Sequence, residues 1–141
     1  MPEFQVSHDS VEATDRWSAL DPFLTAYLEA ALWLLNEDDQ NKLGEGPYGI
    51  ASDHLSQSAF EDAADDCQAF RDGSADDLAE AYATGYSESQ AGHDFFLTRN
   101  HHGAGFWDRG LGPVGDRLSK DAHGYGDANL YLGDDGKLYF E

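Results

Sequence analysis

The chain has 141 residues, 28 carboxylates, eight lysines and arginines and six histidines, for a formal net charge of -20 with histidine neutral. That length suits one ordinary domain, and a composition of 40% hydrophobic and 13% aromatic residues builds a core, which excludes a disordered acidic tail. A chain this acidic is repelled by nucleic acid and anionic membranes unless a basic patch intervenes, and the five basic residues after position 91 are spaced singly.

The charge is lopsided. Residues 1 to 90 carry 20 carboxylates against Arg16, Lys42 and Arg71, a balance of -17; residues 91 to 141 carry eight against five, a balance of -3, with ten of the 15 glycines. No stretch of 18 apolar residues predicts a membrane span. The opening MPEFQVSHDS has neither the basic nor the apolar region of a signal peptide. The single Cys67 has no internal disulfide partner and falls on an apolar helix position. Together these predict a protein of a reducing cytoplasm.

Residues 1 to 20 lack periodicity and read as a loosely ordered arm, with Phe4, Val6 and Trp17 available to dock back; residues 21 to 141 read as one domain. Its first helix starts at Asp21-Pro22, where Asp21 caps and Pro22 suits the first helical position. Leu24, Tyr27, Leu28, Ala31, Leu34 and Leu35 then recur at helical spacing for about four turns. The helix stops in the polar run Asn36 to Asn41, and Gly44 to Gly49 is a loop. A second helix opens on a Ser58/Glu61 capping-box pattern, carries the stripe Phe60, Ala63, Ala64, Cys67 and Phe70, and ends at Gly73. A short third helix follows from Ser74 and Asp77, with Leu78, Ala81 and Tyr82 inward, ending near Gly85.

Beyond residue 90 the chain changes character. His93 to Thr98 reads as a strand, Asn100 to Gly103 as a hairpin connection with Gly103 at positive φ, and Ala104 to Trp107 as the return strand. Pro113 starts a helix carrying Val114, Leu118 and Ala122, which Gly124 stops. Asn129 to Leu132 and Lys137 to Phe140 flank Gly133-Asp134-Asp135-Gly136 as a second hairpin. The expected class is α+β: N-terminal helices, acidic over 21 to 90, packed on a small antiparallel sheet from two hairpins with an intervening helix in the glycine-rich part, 91 to 141.

The run His93-Asp94-Phe95-Phe96-Leu97-Thr98-Arg99-Asn100-His101-His102-Gly103-Ala104-Gly105-Phe106-Trp107-Asp108-Arg109-Gly110 resembles a family of small acidic proteins encoded by bacteriophages and prophages. The likeness continues through Gly115-Asp116-Arg117-Leu118, through Tyr131 to Tyr139, and upstream through Tyr27-Leu28-Glu29-Ala30-Ala31-Leu32-Trp33, covering roughly residues 21 to 140. The 18-residue segment is the specific part. The resemblance implies a genomic origin rather than a mechanism. This chain departs from the family in its more acidic middle and longer N-terminal arm.

Four groups of residues are candidates for function. On the helices, carboxylates three and four apart lie about 5 to 6 Å from one another, a spacing comparable to neighbouring phosphates. Glu61, Asp62, Asp65, Asp66, Asp72, Asp76, Asp77 and Glu80 could then imitate a phosphate row and occupy the basic groove of a nucleic-acid-binding protein; the alternative is a solvated or salt-adapted face, which 19 Asp against nine Glu and only three Lys would suit. His93, Asp94, His101, His102 and Asp108 could converge on a metal across the 100 to 103 turn, yet no HxxxH or HExxH spacing supports it, and no metal or cofactor is expected. Asp94, Arg99, Asp108, Arg109 and Asp116 read as salt bridges fixing the glycine-rich loop rather than as acid/base pairs. Phe95, Phe96, Phe106 and Trp107 cannot all face one core if their strands alternate, so some should lie under a helix or in a partner patch.

The expected function is a phage-encoded, non-enzymatic inhibitor that binds a basic, nucleic-acid-binding host protein, such as a restriction, CRISPR-type or uracil-DNA glycosylase enzyme, with no direct contact to nucleic acid or membrane. The segment His93, Asp94, Arg99, Asn100, His102, Gly103, Trp107, Asp108 and Arg109 marks the family. The alternatives are an acidic accessory phage protein of a halophilic host, and a small metal-dependent enzyme built on the His and Asp residues of the 93 to 109 loop.

Overall fold

A computed structural model describes residues 21–37 and 54–141. The expected N-terminal arm and the 44 to 49 loop lie outside them. The described elements are α1 (Pro22–Glu37), α2 (Gln57–Gly73), α3 (Ala75–Tyr82), α4 (Glu88–Arg99), a 3-10 turn (Phe106–Asp108), α5 (Pro113–His123), β1 (Leu130–Leu132) and β2 (Leu138–Phe140). The class is α+β, mostly helical, with a two-stranded antiparallel sheet at the C-terminus.

Helix α1 begins as its sequence predicts: the Asp21 carboxylate accepts the Leu24 N–H at 2.8 Å, satisfying one of the orphan donors of the first turn. The same carboxylate accepts Arg71 Nη2 at 2.9 Å, tying the start of α1 to the end of α2. Nine of its side chains are buried: Phe23, Leu24, Ala26, Tyr27, Leu28, Ala30, Ala31, Leu32 and Leu35, too many for one stripe. The helix is therefore covered on most sides, and it lies longest against α4.

Helix α2 starts two residues before the predicted position. Its cap is Ser56, whose side chain accepts the Ala59 N–H at 3.0 Å, and Glu61 instead accepts from Gln57 Nε2 on the helix surface. Ser56 wins because its N–H is held by the Leu138 carbonyl at 3.0 Å, where residue 55 bridges to β2. The predicted inward stripe holds: Phe60, Ala63, Cys67 and Phe70 are buried, and burial pushes the Cys67 thiol well above its usual value, leaving it a core residue rather than a thiolate.

The largest correction concerns residues 93 to 107. His93 to Thr98 is not a strand but the body of α4, and Ala104 to Trp107 is not its return strand but the approach to a 3-10 turn. Only one of the two expected hairpins therefore forms, β1–β2, paired Leu130 to Phe140 and Leu132 to Leu138 around the 133 to 136 turn. The helix has a sequence signal upstream of the apolar run: Ser87 accepts the Gln90 N–H at 3.0 Å and Gln90 Oε1 accepts the Ser87 N–H at 3.1 Å, a complete capping box. From Asp94 to Arg99 every residue is buried, so α4 shows no polar face and no 3.6-residue period. Nor does Gly103 take the positive φ; His101 does, at 57°, just after the helix ends.

Helicity resolves the aromatic puzzle. Phe95, Phe96 and Phe106 are all buried and only Trp107 is exposed. Phe95 stacks on Phe70 with centroids 4.2 Å apart, Phe70 stacks on Phe106 at 5.6 Å, and Tyr27 meets Phe96 edge-on at 5.2 Å. These rings join α1, α2, α4 and the 3-10 turn into one core.

Candidate functional site

The signature segment divides into residues that clasp the fold and residues that line a cavity. Among the first, Asp94 is buried, with its side chain 1% exposed, and the Arg109 guanidinium grips it through Nη2 at 2.7 Å and Nε at 2.9 Å. Tyr86 donates its hydroxyl to Asp94 Oδ2, the oxygen that also accepts Arg109 Nε. Burial alone would raise the Asp94 carboxyl; the hydrogen bonds outweigh it and hold the group below the usual carboxylate range. His93 Nδ1 lies 3.9 Å off, outside hydrogen-bonding reach, so that stabilisation comes from Arg109 and Tyr86. The same arrangement, together with burial, pushes the Tyr86 phenol up.

Arg99 is the second clasp. Its buried guanidinium donates to the carbonyls of Gly126 (2.8 Å) and Tyr125 (3.0 Å), to the Tyr27 hydroxyl (3.0 Å) and to Asp66 (2.7 Å). Three other segments, α1, α2 and residues 125 to 126, are thus tied to α4 by one side chain. Asn100 adds a third tie, accepting the Ala128 N–H at 2.8 Å and donating to the Ala128 carbonyl at 3.1 Å. The expected salt-bridge role of this segment therefore exists for Asp94, Arg99 and Arg109, while Asp108 and Asp116 are exposed at the surface.

The glycines here serve close approach. A Cβ on Gly92 would sit 1.9 Å from the Phe23 carbonyl oxygen, so α4 crosses α1 with backbones in contact. On Gly115 it would sit 2.8 Å from the Phe106 carbonyl oxygen.

His93, His102 and Gly103, with Arg109, face a cavity of about 500 Å3, lined by Glu29, Ala30, Trp33, His93, Leu97, His102, Gly103, Ala104 and Arg109, while Trp107 and Asp108 lie exposed outside it. The sequence marked His93, His102, Gly103 and Arg109 as site residues; Glu29 and Trp33, quoted only within the 27 to 33 likeness, were not so marked, and their spacing of four on one helix was the further signal. The five-residue His/Asp convergence does not assemble: His102 lies beside Trp33, with ring centroids 6.5 Å apart, while His101 stacks on His123 at 4.4 Å. Among the described residues no group of three His, Cys, Asp or Glu side chains is placed to hold a metal ion.

The acidic face is distinct from both. Glu61, Asp62, Asp65 and Asp72 lie on the side of α2 opposite its buried stripe, and Asp76 on the exposed side of α3. Among the described residues none of these five pairs with a basic side chain; Glu61 and Asp72 accept from Gln57 and Gln68 on their own helix. The other three marked carboxylates are engaged. Asp66, 39% exposed, holds Arg99, and Arg117 reaches Asp77 at 2.9 Å and Glu80 at 3.5 Å. A smaller cleft of about 250 Å3 gathers Asp62, Asp65, Asp66, Asp127 and Glu141 around Arg99.

No helix among the described residues is long and apolar enough to cross a membrane. Comparison of the chain with protein-family models, curated proteins and solved structures finds no match.

Proposed function

We propose that the chain is a phage-encoded, non-enzymatic binding protein of the host cytoplasm. Its α2–α3 carboxylates dock, as a DNA mimic does, on a cationic host protein that binds nucleic acid. One observation carries the reading: Glu61, Asp62, Asp65, Asp72 and Asp76 stand exposed and, among the described residues, without a cation on neighbouring helices, whereas Asp66, Asp77, Asp94 and Glu80 are met by arginines. Along α2 the unpaired carboxylates span three turns at about 1.5 Å per residue, on a backbone fixed by the Ser56 cap and the aromatic core. A rigid row of this kind releases the counterions of a cationic groove as a phosphate backbone does, and charge complementarity speeds the encounter.

The test is competition. The protein should displace a DNA duplex from a basic nucleic-acid-binding enzyme of the host, with an affinity that falls steeply with salt. The Asp62→Asn/Asp65→Asn/Asp72→Asn variant should lose at least about tenfold. Undiminished inhibition by that variant, or a host lysate in which no nucleic-acid-binding protein is captured, would sink the reading.

The composition favours a second reading, an accessory phage protein of a halophilic host, because Asp outnumbers Glu 19 to nine and lysine is scarce. A salt-adapted fold should lose helicity as salt is removed and self-repulsion lengthens in range. Circular dichroism in about 0.01 M and about 1 M salt separates the two readings, since a mimic keeps its helices in both.

A further inference from the structure

We propose that the cavity between α1 and the 102–109 segment is a binding site for a small organic cation with an apolar body, such as an aromatic quaternary ammonium compound. Its volume of about 500 Å3 falls in the range of roughly 300 to 1,000 Å3 that holds a whole small molecule. Ala30, Leu97 and Ala104 supply apolar wall, and Trp33 stands 40% exposed at its edge.

The charges around it select the sign of the ligand. Arg109 is the one arginine or lysine among the lining residues, and its positive charge is already compensated by the bidentate contact to Asp94. Among the described residues the carboxylate of Glu29 makes no ion pair and no side-chain hydrogen bond, so no described cation offsets it. Glu29 and Trp33 are four residues apart on α1, which places carboxylate and indole on one face of the helix, one turn from each other. His102 meets the Trp33 ring at a steep angle, 62°, and fixes one side of it. A cation held there gains the indole quadrupole and the carboxylate together. An anion would face Glu29 and the field of a molecule of net charge -20, and a neutral molecule would gain from neither. This site lies on other residues than the acidic face of α2 and α3, and does not rest on that reading.

Isothermal titration calorimetry of the full chain tests it, at pH 8 in 0.15 M salt. The probes are benzyltrimethylammonium, neutral benzyl alcohol and anionic phenylacetate. The expected order is ammonium first, about tenfold or more ahead of the alcohol, with phenylacetate last. Glu29→Gln, isosteric at a half-buried position, should cost the ammonium about tenfold and leave the alcohol unchanged. Trp33→Leu should weaken the ammonium several-fold. The Asp62→Asn/Asp65→Asn/Asp72→Asn variant should bind the ammonium as the parent does, so failure of the acidic-face reading and failure of this one are separable. Equal binding of the three probes, preference for phenylacetate, no heat at millimolar ammonium, or a Glu29→Gln variant of parental affinity each overturns the proposal.

Discussion

The segment from Gly92 to Gly126 and the outer face of α2–α3 use the same residue types to opposite ends. In the first, charges and glycines are consumed by the fold: Asp94 is enclosed by Arg109 and Tyr86, Arg99 ties α4 to three other segments, and Gly92 lets two helices touch. In the second, Glu61, Asp62, Asp65, Asp72 and Asp76 face water with no cation among the described residues. The difference separates two kinds of constraint on a sequence. A signature built from Asp, Arg and Gly is accounted for by packing and hydrogen bonding inside the molecule. A run of acids that nothing inside the molecule requires points outward, to solvent, salt or a partner.

The strongest way to break this comparison is at Gly92. Gly92→Val places a branched side chain where even a Cβ would lie 1.9 Å from the Phe23 carbonyl oxygen and 2.7 Å from its carbon. Backbone atoms cannot rotate away as a side chain can, so α1 and α4 must separate. The expected loss is about 3 kcal/mol or more, read by urea unfolding. A variant as stable as the parent would show that the α1–α4 crossing is not as drawn.

Next in size are the clasps. Arg109→Ala leaves the buried Asp94 carboxylate with Tyr86 alone, and should cost about 3 kcal/mol, the low end for a broken buried pair because the guanidinium is itself 30% exposed. Acid sharpens the same point. The folded-state pKa of Asp94 is depressed below its unfolded value near 3.8, so its contribution is complete above that value and is lost as pH falls through the lower, folded one. The parent should therefore hold its urea midpoint from neutral pH to about pH 5 and lose it steeply below about pH 4. In Asp94→Asn that acid-dependent part of the loss should shrink. An unchanged pH profile in Asp94→Asn would remove Asp94 from the account.

How much of this was legible in the sequence depends on what covers each helix. Helix α2 has one wet face, so its stripe from Phe60 to Phe70 displays the helical period, and α5 is framed by Pro113 and Gly124. Helix α4 is enclosed from Asp94 to Arg99, and a segment buried all round has no polar positions to mark its period; Phe95-Phe96-Leu97 then reads as a short buried strand. The Ser87/Gln90 capping box was the available clue, and its distance of five residues from the apolar run hid it. The two-residue error at α2 has another cause. Ser56 and Ser58 are equally good caps in isolation, and the choice is made by β2, 80 residues away in the chain, through the Leu138 carbonyl. Among the marked site residues, the acidic faces follow from periodicity. The Arg99–Asp66 and Arg117–Asp77 pairs join α2 to α4 and α3 to α5, and no local pattern announces them. Glu29 and Trp33 were passed over because the cavity they line is completed by residues some 60 to 80 positions further on.

A smaller effect is expected at the cap. Ser56→Ala removes the acceptor of the Ala59 N–H and should cost about 1 kcal/mol, while the Ser56 N–H keeps its bond to Leu138. Because the loss falls at the first turn of α2, hydrogen exchange should quicken at residues 58 to 60 and stay slow around Phe70. Uniform quickening along the helix would mean that α2 is held chiefly by this cap, and that the aromatic core beneath it contributes less than its burial implies.

The smallest expected change in stability is also the one that bears most on the outward face. Asp62→Asn/Asp65→Asn/Asp72→Asn removes three negative charges from positions with no cation among the described residues, so no ion pair between described residues is broken. Surface substitutions of this kind usually stay within about 0.5 kcal/mol, and relief of self-repulsion makes the sign stabilising at low salt. The control is Asp66→Asn, a single charge on the same helix, which disturbs the Arg99 clasp and should cost more than the triple variant does. Urea unfolding of the two at the same salt compares them directly. If three outward acids cost nothing while one inward acid is felt, the carboxylates of α2 are divided as the geometry divides them, and any loss of partner binding in the triple variant belongs to the surface rather than to the fold. If the triple variant unfolds instead, those acids support α2 itself, and neither mimicry nor salt adaptation is needed to explain them.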